Sequence, residues 1–131
     1  MSKPVHAMIR VRDEARARDY YARAFGFEVA DRYDFDDFTL IYLRDPASPF
    51  ELELTVNNGR DKPYDLGDGY GHIAVVVDDV EAEHARHVRE GFPATDVKTL
   101  GHGETLLARF FFATDPDGYK IEVIQRGGRF A

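Results

Sequence analysis

The segment His6-Ala7-Met8-Ile9-Arg10-Val11 has a counterpart about 66 residues later, His72-Ile73-Ala74-Val75-Val76-Val77. In both segments a histidine is followed by an apolar residue at every second position, as in a β-strand with one buried face. Two more pairs of segments keep a similar spacing: Phe25-Gly26-Phe27 with Glu90-Gly91-Phe92, and Glu51-Leu52-Glu53-Leu54 with Lys120-Ile121-Glu122-Val123. A repeat of this length predicts two similar modules rather than one irregular sheet.

Each half of the chain shows the pattern of a strand, a helix and three more strands, the order βαβββ. The first half predicts a helix between Asp13 and Gly26, and strands at residues 5–12, 27–32, 38–43 and 50–56. The second half predicts a helix from Asp78 or Asp79 to Gly91, and strands at residues 71–77, 94–99, 106–113 and 119–125. The fold class is therefore α+β.

The glycine-rich stretch between the two halves indicates a linker. We place one module at about residues 4–57, the linker at about 58–70 and the other module at about 71–126. Neither module is large enough to bury much core alone, so we expect the two to pair in a single domain that spans residues 1–131.

The composition excludes several classes of function. The net charge is −7 and the isoelectric point is about 5.1, which argues against nucleic acid or an anionic membrane as a partner. No apolar run approaches the roughly 18 residues of a membrane span, and no signal peptide is expected, so the default location is the cytoplasm. The chain has no cysteine, so a bound metal would need histidine and carboxylate ligands.

Four residues lie outside the strongly apolar register of their predicted strands: His6, Glu53, His72 and Glu122. If the first and last strands of each module are neighbours, each module presents one histidine and one glutamate on one sheet face. Two imidazoles and two carboxylates suit Zn²⁺, Ni²⁺, Co²⁺ or Mn²⁺. Each residue taken alone also fits an exposed or packed position, so at this point the symmetry of the repeat is the only feature that favours a metal site.

The chain resembles glyoxalase I of the vicinal-oxygen-chelate superfamily over nearly its whole length. Four segments carry the resemblance, in order and with the spacing kept: residues 6–11, Glu53-Leu54-Thr55-Val56-Asn57-Asn58-Gly59, Tyr70-Gly71-His72-Ile73-Ala74 and Asp115-Pro116-Asp117-Gly118-Tyr119-Lys120-Ile121-Glu122. The resemblance implies two βαβββ modules with mixed, curved sheets that pair across a homodimer, and a metal site at the subunit interface.

The resemblance also implies an activity. Members isomerise the hemithioacetal of methylglyoxal and glutathione to S-D-lactoylglutathione through an enediolate. His6, Glu53, His72 and Glu122 match the metal ligands. The compact length is similar to that of the nickel- or cobalt-activated members, with Zn²⁺ as the other option. Glu122 is the expected base, and Glu53 is the candidate for the other face of the substrate.

Three further positions relate to the thiol. Arg10 and Asn57 match glutathione contacts of the family. Members commonly carry a lysine in the loop before the penultimate strand, for the terminal carboxylate of the thiol. Here that loop is Leu100-Gly101-His102-Gly103-Glu104-Thr105, in which His102 is the candidate replacement and Glu104 would oppose an anion. This departure bears on the identity of the thiol more than on the type of reaction.

Other functions of the superfamily stay open at this stage. An Fe(II) extradiol dioxygenase needs two histidines and one carboxylate, and would not need Glu53. An antibiotic-binding resistance protein would tend to have apolar side chains at the four ligand positions. An epimerase or an enzyme for another thiol would use much the same ligands.

Overall fold

The computed structural model describes residues 1–131, which divide into two compact units, Met1–Asp65 (unit 1) and Leu66–Ala131 (unit 2). Each unit has the predicted order βαβββ, so the α+β fold of two βαβββ modules is confirmed. The elements of unit 1 are β1 His6–Arg10, α1 Glu14–Phe25, β2 Glu28–Asp34, β3 Phe38–Arg44 and β4 Glu51–Asn57. Those of unit 2 are β5 Ile73–Val77, α2 Val80–Glu90, β6 Lys98–His102, β7 Thr105–Thr114 and β8 Lys120–Gln125.

Unit 1 has a four-stranded mixed sheet in the order β1-β4-β3-β2. The first and last strands, β1 and β4, are parallel neighbours, whereas the other pairs are antiparallel. Helix α1 begins where the Asp13 side chain accepts a hydrogen bond from the Arg16 N–H, and it ends at Gly26 in the left-handed conformation. The fully buried side chains of the unit include Tyr21 from the helix and Leu54 from β4.

Unit 2 repeats this plan, with the sheet order β5-β8-β7-β6 and with β5 parallel to β8. Asp79 caps helix α2 through a hydrogen bond from Ala82 N–H. His87 of this helix is fully buried, and its ring lies edge-on to the ring of Phe111, 5.3 Å away between centroids. The ring of His84 also packs on Phe111, so these helix histidines belong to the packing of the unit. Neither helix is long and apolar enough to cross a membrane.

One strand prediction was wrong. The strand expected at residues 94–99 is instead β6 at Lys98–His102, and Ala94 makes only an isolated bridge to Ala113. The glycines near His102 had indicated a loop, but Gly103 has a φ of 60° and supplies the tight turn of a hairpin. The two strands therefore extend as far as the His102–Thr105 pair.

Candidate functional site

In unit 1, the predicted His–Glu pair meets on neighbouring strands. Because β1 is parallel to β4, Met8 lies opposite Glu53 and His6 lies two residues away along the strand. The two side chains are in contact, with 2.8 Å between His6 Nε2 and Glu53 Oε2. The Glu53 side chain is 11% exposed, whereas the His6 side chain is 38% exposed. The imidazole thus lies at the accessible side of the pair and the carboxylate lies inside.

In unit 2, the corresponding pair has the same backbone placement. His72 comes directly before β5, and Glu122 lies on β8 opposite Ala74. The distance from His72 Nε2 to Glu122 Oε2 is 3.8 Å, which is beyond a good hydrogen bond. The His72 and Glu122 side chains are 41% and 18% exposed, so again the histidine is the more accessible partner.

The donor atoms of both pairs fit a divalent metal. Imidazole nitrogens and carboxylate oxygens bind such ions at about 2.0–2.2 Å, which places neighbouring ligand atoms roughly 3 Å apart. The two observed separations, 2.8 and 3.8 Å, lie on either side of that value. Each pair supplies two ligands, and no group of three or more His, Cys, Asp or Glu side chains in the structure could hold a metal ion.

An aromatic ring lies beside each pair, and neither ring was predicted from the sequence to lie there. Tyr42 on β3 lies opposite Glu53, and its ring lies edge-on to His6 with 5.9 Å between centroids. Phe112 on β7 lies opposite Glu122, and its ring lies edge-on to His72 at 5.2 Å. Both positions fall in the third strand of their repeat. Only the antiparallel register with the last strand shows that they face the glutamates.

Tyr42 is electrostatically coupled to the pair of unit 1. Burial raises the pKa of the Tyr42 phenol, and the negative charge of Glu53 raises it further. Smaller contributions to this pKa come from Tyr33, from Glu51 and from a hydrogen bond to Glu53. Burial and the charge of Glu53 thus both favour the neutral form of the Tyr42 phenol.

The predicted thiol contacts are found at strand ends. Arg10 is the last residue of β1 and lies opposite Thr55, while Asn57 is the last residue of β4. The Asn57 side-chain amide donates to the Tyr64 hydroxyl at 2.8 Å. Arg10 and Asn57 thus lie at the same end of two neighbouring strands in unit 1. His102 belongs to unit 2, where it is exposed next to the hairpin turn that contains Glu104.

Comparisons with known proteins agree with this architecture. Residues 3–123 match the model of the Glyoxalase/Bleomycin resistance protein/Dioxygenase superfamily. The lactoylglutathione lyase of Neisseria meningitidis serogroup A is 39% identical over 127 residues, which cover 93% of this chain and 89% of that protein. The probable lactoylglutathione lyase of a Synechocystis strain is 36% identical over 136 residues, which cover 95% of this chain and 96% of that protein.

A solved structure gives the same result. The trypanothione-dependent glyoxalase I of Leishmania major superposes with a TM-score of 0.77 at 32% identity, over 95% of this chain and 87% of that one. The match to the family model extends over both units and includes all four candidate ligand positions. The chain therefore belongs to the Glyoxalase/Bleomycin resistance protein/Dioxygenase superfamily.

Proposed function

We propose that this protein is a lactoylglutathione lyase, which isomerises the hemithioacetal of methylglyoxal and glutathione to S-D-lactoylglutathione and so removes methylglyoxal. The observation that carries the proposal is the His–Glu pair in each unit, with the histidine at the start of the outermost strand and the glutamate on the next strand of the sheet. Relatives with the name lactoylglutathione lyase, aligned over nine-tenths of this chain, support the same activity.

The four ligands of a single divalent ion are His6, Glu53, His72 and Glu122 in this proposal. Ni²⁺ or Co²⁺ is the expected ion, with Zn²⁺ as the alternative. The two units form one glyoxalase-like domain, and two chains form a homodimer with its metal sites at the subunit interface, in the cytoplasm. Each unit offers one histidine and one glutamate to this set. When bound, the ion supplies Lewis acidity that stabilises the negative charge of the enediolate.

Proton transfer falls to the glutamates. The Glu122 carboxylate removes the proton from the carbon that bears the hydroxyl and the sulfur, and the electron pair moves toward the adjacent carbonyl. A proton is then returned to the former carbonyl carbon, and the hydroxyl proton of the carbon that bears sulfur moves to the neighbouring oxygen, which gives the thioester of lactate without net gain or loss of atoms. Glu53 lies toward the other face of the substrate. Because its side chain is 11% exposed and contacts His6, Glu53 is better placed to bind than to exchange protons with solvent.

The thiol is held by the strand ends. Arg10 pairs with a carboxylate of glutathione and Asn57 hydrogen-bonds one of its peptide groups. His102 replaces the usual lysine for the terminal carboxylate. Glu104 follows Gly103 in the same hairpin turn and opposes that carboxylate. A thiol with fewer negative charges is therefore the natural competitor, as in the trypanothione-dependent relative from Leishmania major.

The test is turnover of the hemithioacetal, followed at the thioester absorbance. Protein stripped of metal is reloaded separately with Ni²⁺, Co²⁺, Zn²⁺ and Mn²⁺, and each form is assayed with glutathione and with trypanothione as the thiol. The proposal predicts no activity without metal, and activity that returns most fully with Ni²⁺ or Co²⁺. Faster turnover with trypanothione would show that glutathione is not the preferred thiol, while the proposed isomerisation would stand. Silence with every metal and both thiols, in protein that still binds metal, would contradict the proposed reaction.

A further inference from the structure

A small pocket in unit 1, the arginine pocket, is lined by Arg12, Asp13, Arg16 and Arg60. Its volume is about 260 Å³, slightly less than the roughly 300–1,000 Å³ of sites that hold a whole drug-sized ligand. Three guanidinium charges against one carboxylate charge leave a formal charge of +2, in a chain whose net charge is −7. The pocket therefore suits one small anionic group.

Neutral groups hold two of the three arginines in place. Arg12 Nη2 donates to the carbonyl oxygen of Asp61 at 2.6 Å. Arg60 Nη2 donates to the carbonyl oxygen of Pro63 at 2.9 Å, and the Arg60 guanidinium lies over the ring of Tyr64, 4.2 Å from its centroid. A carbonyl oxygen or an aromatic face fixes a guanidinium without adding a negative charge, unlike a carboxylate. These contacts keep two cations at the pocket and leave their charge in place.

The local structure disfavours cations at this place. Asp13 caps helix α1 by accepting a hydrogen bond from the Arg16 N–H at 2.9 Å, so Arg16 lies in the first turn of that helix. The positive end of the helix dipole lies there, and a cation in this turn lowers the stability of the helix. Arg12 directly precedes the cap and adds another positive charge. A charge pattern that opposes local stability is expected at functional sites, and a bound anion would offset it.

The arginine pocket adjoins the strand ends that carry Arg10 and Asn57. The Asn57 side-chain amide donates to the hydroxyl of Tyr64, the residue whose ring lies under Arg60. The Arg60 N–H donates to the Asn57 carbonyl oxygen at 3.3 Å, and Arg12 follows Arg10 by two residues. A ligand held by Arg10 and Asn57 therefore has the arginine pocket within reach.

We propose that the arginine pocket is a binding site for an oxyanion group, either a carboxylate or a phosphate. Planar guanidinium groups pair with both kinds of anion through two parallel hydrogen bonds, and arginine is favoured where such groups are bound. Two sources supply such a group: a carboxylate of the thiol held at Arg10 and Asn57, or a free anion such as inorganic phosphate. The first source rests on the proposed function, and the second does not.

The test uses Arg16→Gln and Arg60→Gln, with Arg23→Gln as the matched control. Arg16→Gln leaves the carbonyl contacts of Arg12 and Arg60 in place, so it removes a cation without removing the contacts that hold the pocket. Arg23→Gln removes one positive charge from the last turn of the same helix, outside the pocket.

Binding is measured by isothermal titration calorimetry with protein loaded with Ni²⁺. Inorganic phosphate is one ligand, and S-methylglutathione, a thioether that cannot form the hemithioacetal, is the other. Any binding of phosphate to the metal itself is common to all four proteins. Thermal unfolding shows that each variant is folded.

Both arginine variants are expected to weaken binding of the pocket's ligand about tenfold, because a hydrogen bond to a charged group is lost. Arg23→Gln should stay within about twofold of the wild type. Weaker binding of S-methylglutathione would identify a carboxylate of the thiol as the ligand. Weaker binding of phosphate alone would identify a free anion.

Two results would overturn the inference. One is that both arginine variants bind both ligands as tightly as the Arg23→Gln control does. The other is that the wild type binds neither ligand. Absence of hemithioacetal turnover in the wild type would overturn the proposed function only, since the phosphate titration does not depend on the reaction and still decides whether the pocket binds an anion.

Discussion

The two units place a histidine and a glutamate at the same positions of the same topology, yet the pairs are not equal. In unit 1 the glutamate is 8% exposed, contacts its histidine and faces a tyrosine. In unit 2 the glutamate is 3.8 Å from its histidine and faces a phenylalanine. The repeat thus fixes the backbone positions of the candidate ligands, while neighbouring side chains give the two carboxylates different surroundings. Differences of this kind allow one carboxylate to bind and the other to do the chemistry.

The sharpest test of this comparison is to neutralise each glutamate in turn. Glu122→Gln is expected to lower kcat about 10³-fold, because a positioned base contributes roughly 10²- to 10⁴-fold. Glu53→Gln, its matched control, should weaken metal binding more and lower kcat less once metal is saturating. Steady-state rates over a range of metal concentrations separate the two effects. Equal losses of kcat in both saturated variants would show that the pairs are not specialised.

The second test asks whether the repeat extends to the cores. Leu54 in unit 1 and Ile121 in unit 2 are both fully buried on the last strand of their sheet. Truncation of either residue to alanine is expected to lower the free energy of unfolding by about 2–5 kcal/mol, through lost burial and the cavity left behind. Urea denaturation at pH 7 measures this change.

The exposed Val88, replaced by alanine, is the control for both core variants. Its effect should stay within about 0.5 kcal/mol. A core variant that changes as little as this control would show that its unit does not depend on that packing.

The smallest expected effect is on how the stability of the fold depends on pH in the acid range. Arg32 hydrogen-bonds Glu14 at 2.8 Å and Asp34 at 2.7 Å, and this holds the pKa of both carboxyl groups below its ordinary value. A lowered folded-state pKa adds stability above the unfolded-state pKa, about 4 for these groups, and that stability is lost as the pH falls through the folded-state value.

Arg32→Gln should therefore lower the unfolding midpoint slightly at pH 7, with a difference from wild type that shrinks below about pH 4. Unit 2 ties its helix to its sheet through Arg109 and Glu81 instead, so Arg109→Gln is the matched variant. Thermal unfolding across the pH range measures both. A difference for Arg32→Gln that grows toward acid pH would contradict the assigned ion pairs.

Much of this architecture could be predicted from the sequence, because short local sequence patterns specify the strands and helices of each repeat. Alternation showed the strands, Asp13 and Gly26 marked the ends of a helix, and the phase of His6 against Ile9 put the histidine off the buried face. The pairing of first and last strands was a condition for the two His–Glu pairs, and both sheets have this pairing.

Other features depend on register, which local patterns do not fix. The position of β6 at Lys98–His102 follows from the turn at Gly103. It was not predicted because a glycine-rich segment is equally typical of a loop and of the end of a hairpin. Tyr42 and Phe112 became visible as neighbours of the glutamates only through the antiparallel pairing of β3 with β4 and of β7 with β8. A one-residue change of register would have put both rings on the other face.

The central claim is that the two pairs serve one metal-dependent site, and the number of metal ions bound per chain tests it most directly. Ni²⁺ is titrated into metal-free wild type, His6→Ala and His72→Ala, and bound metal is counted by elemental analysis after desalting. The account predicts one tightly bound ion per chain in the wild type, and loss of tight binding in either variant alone. Two ions per chain in the wild type, or a tightly bound ion that survives the loss of either histidine, would contradict it.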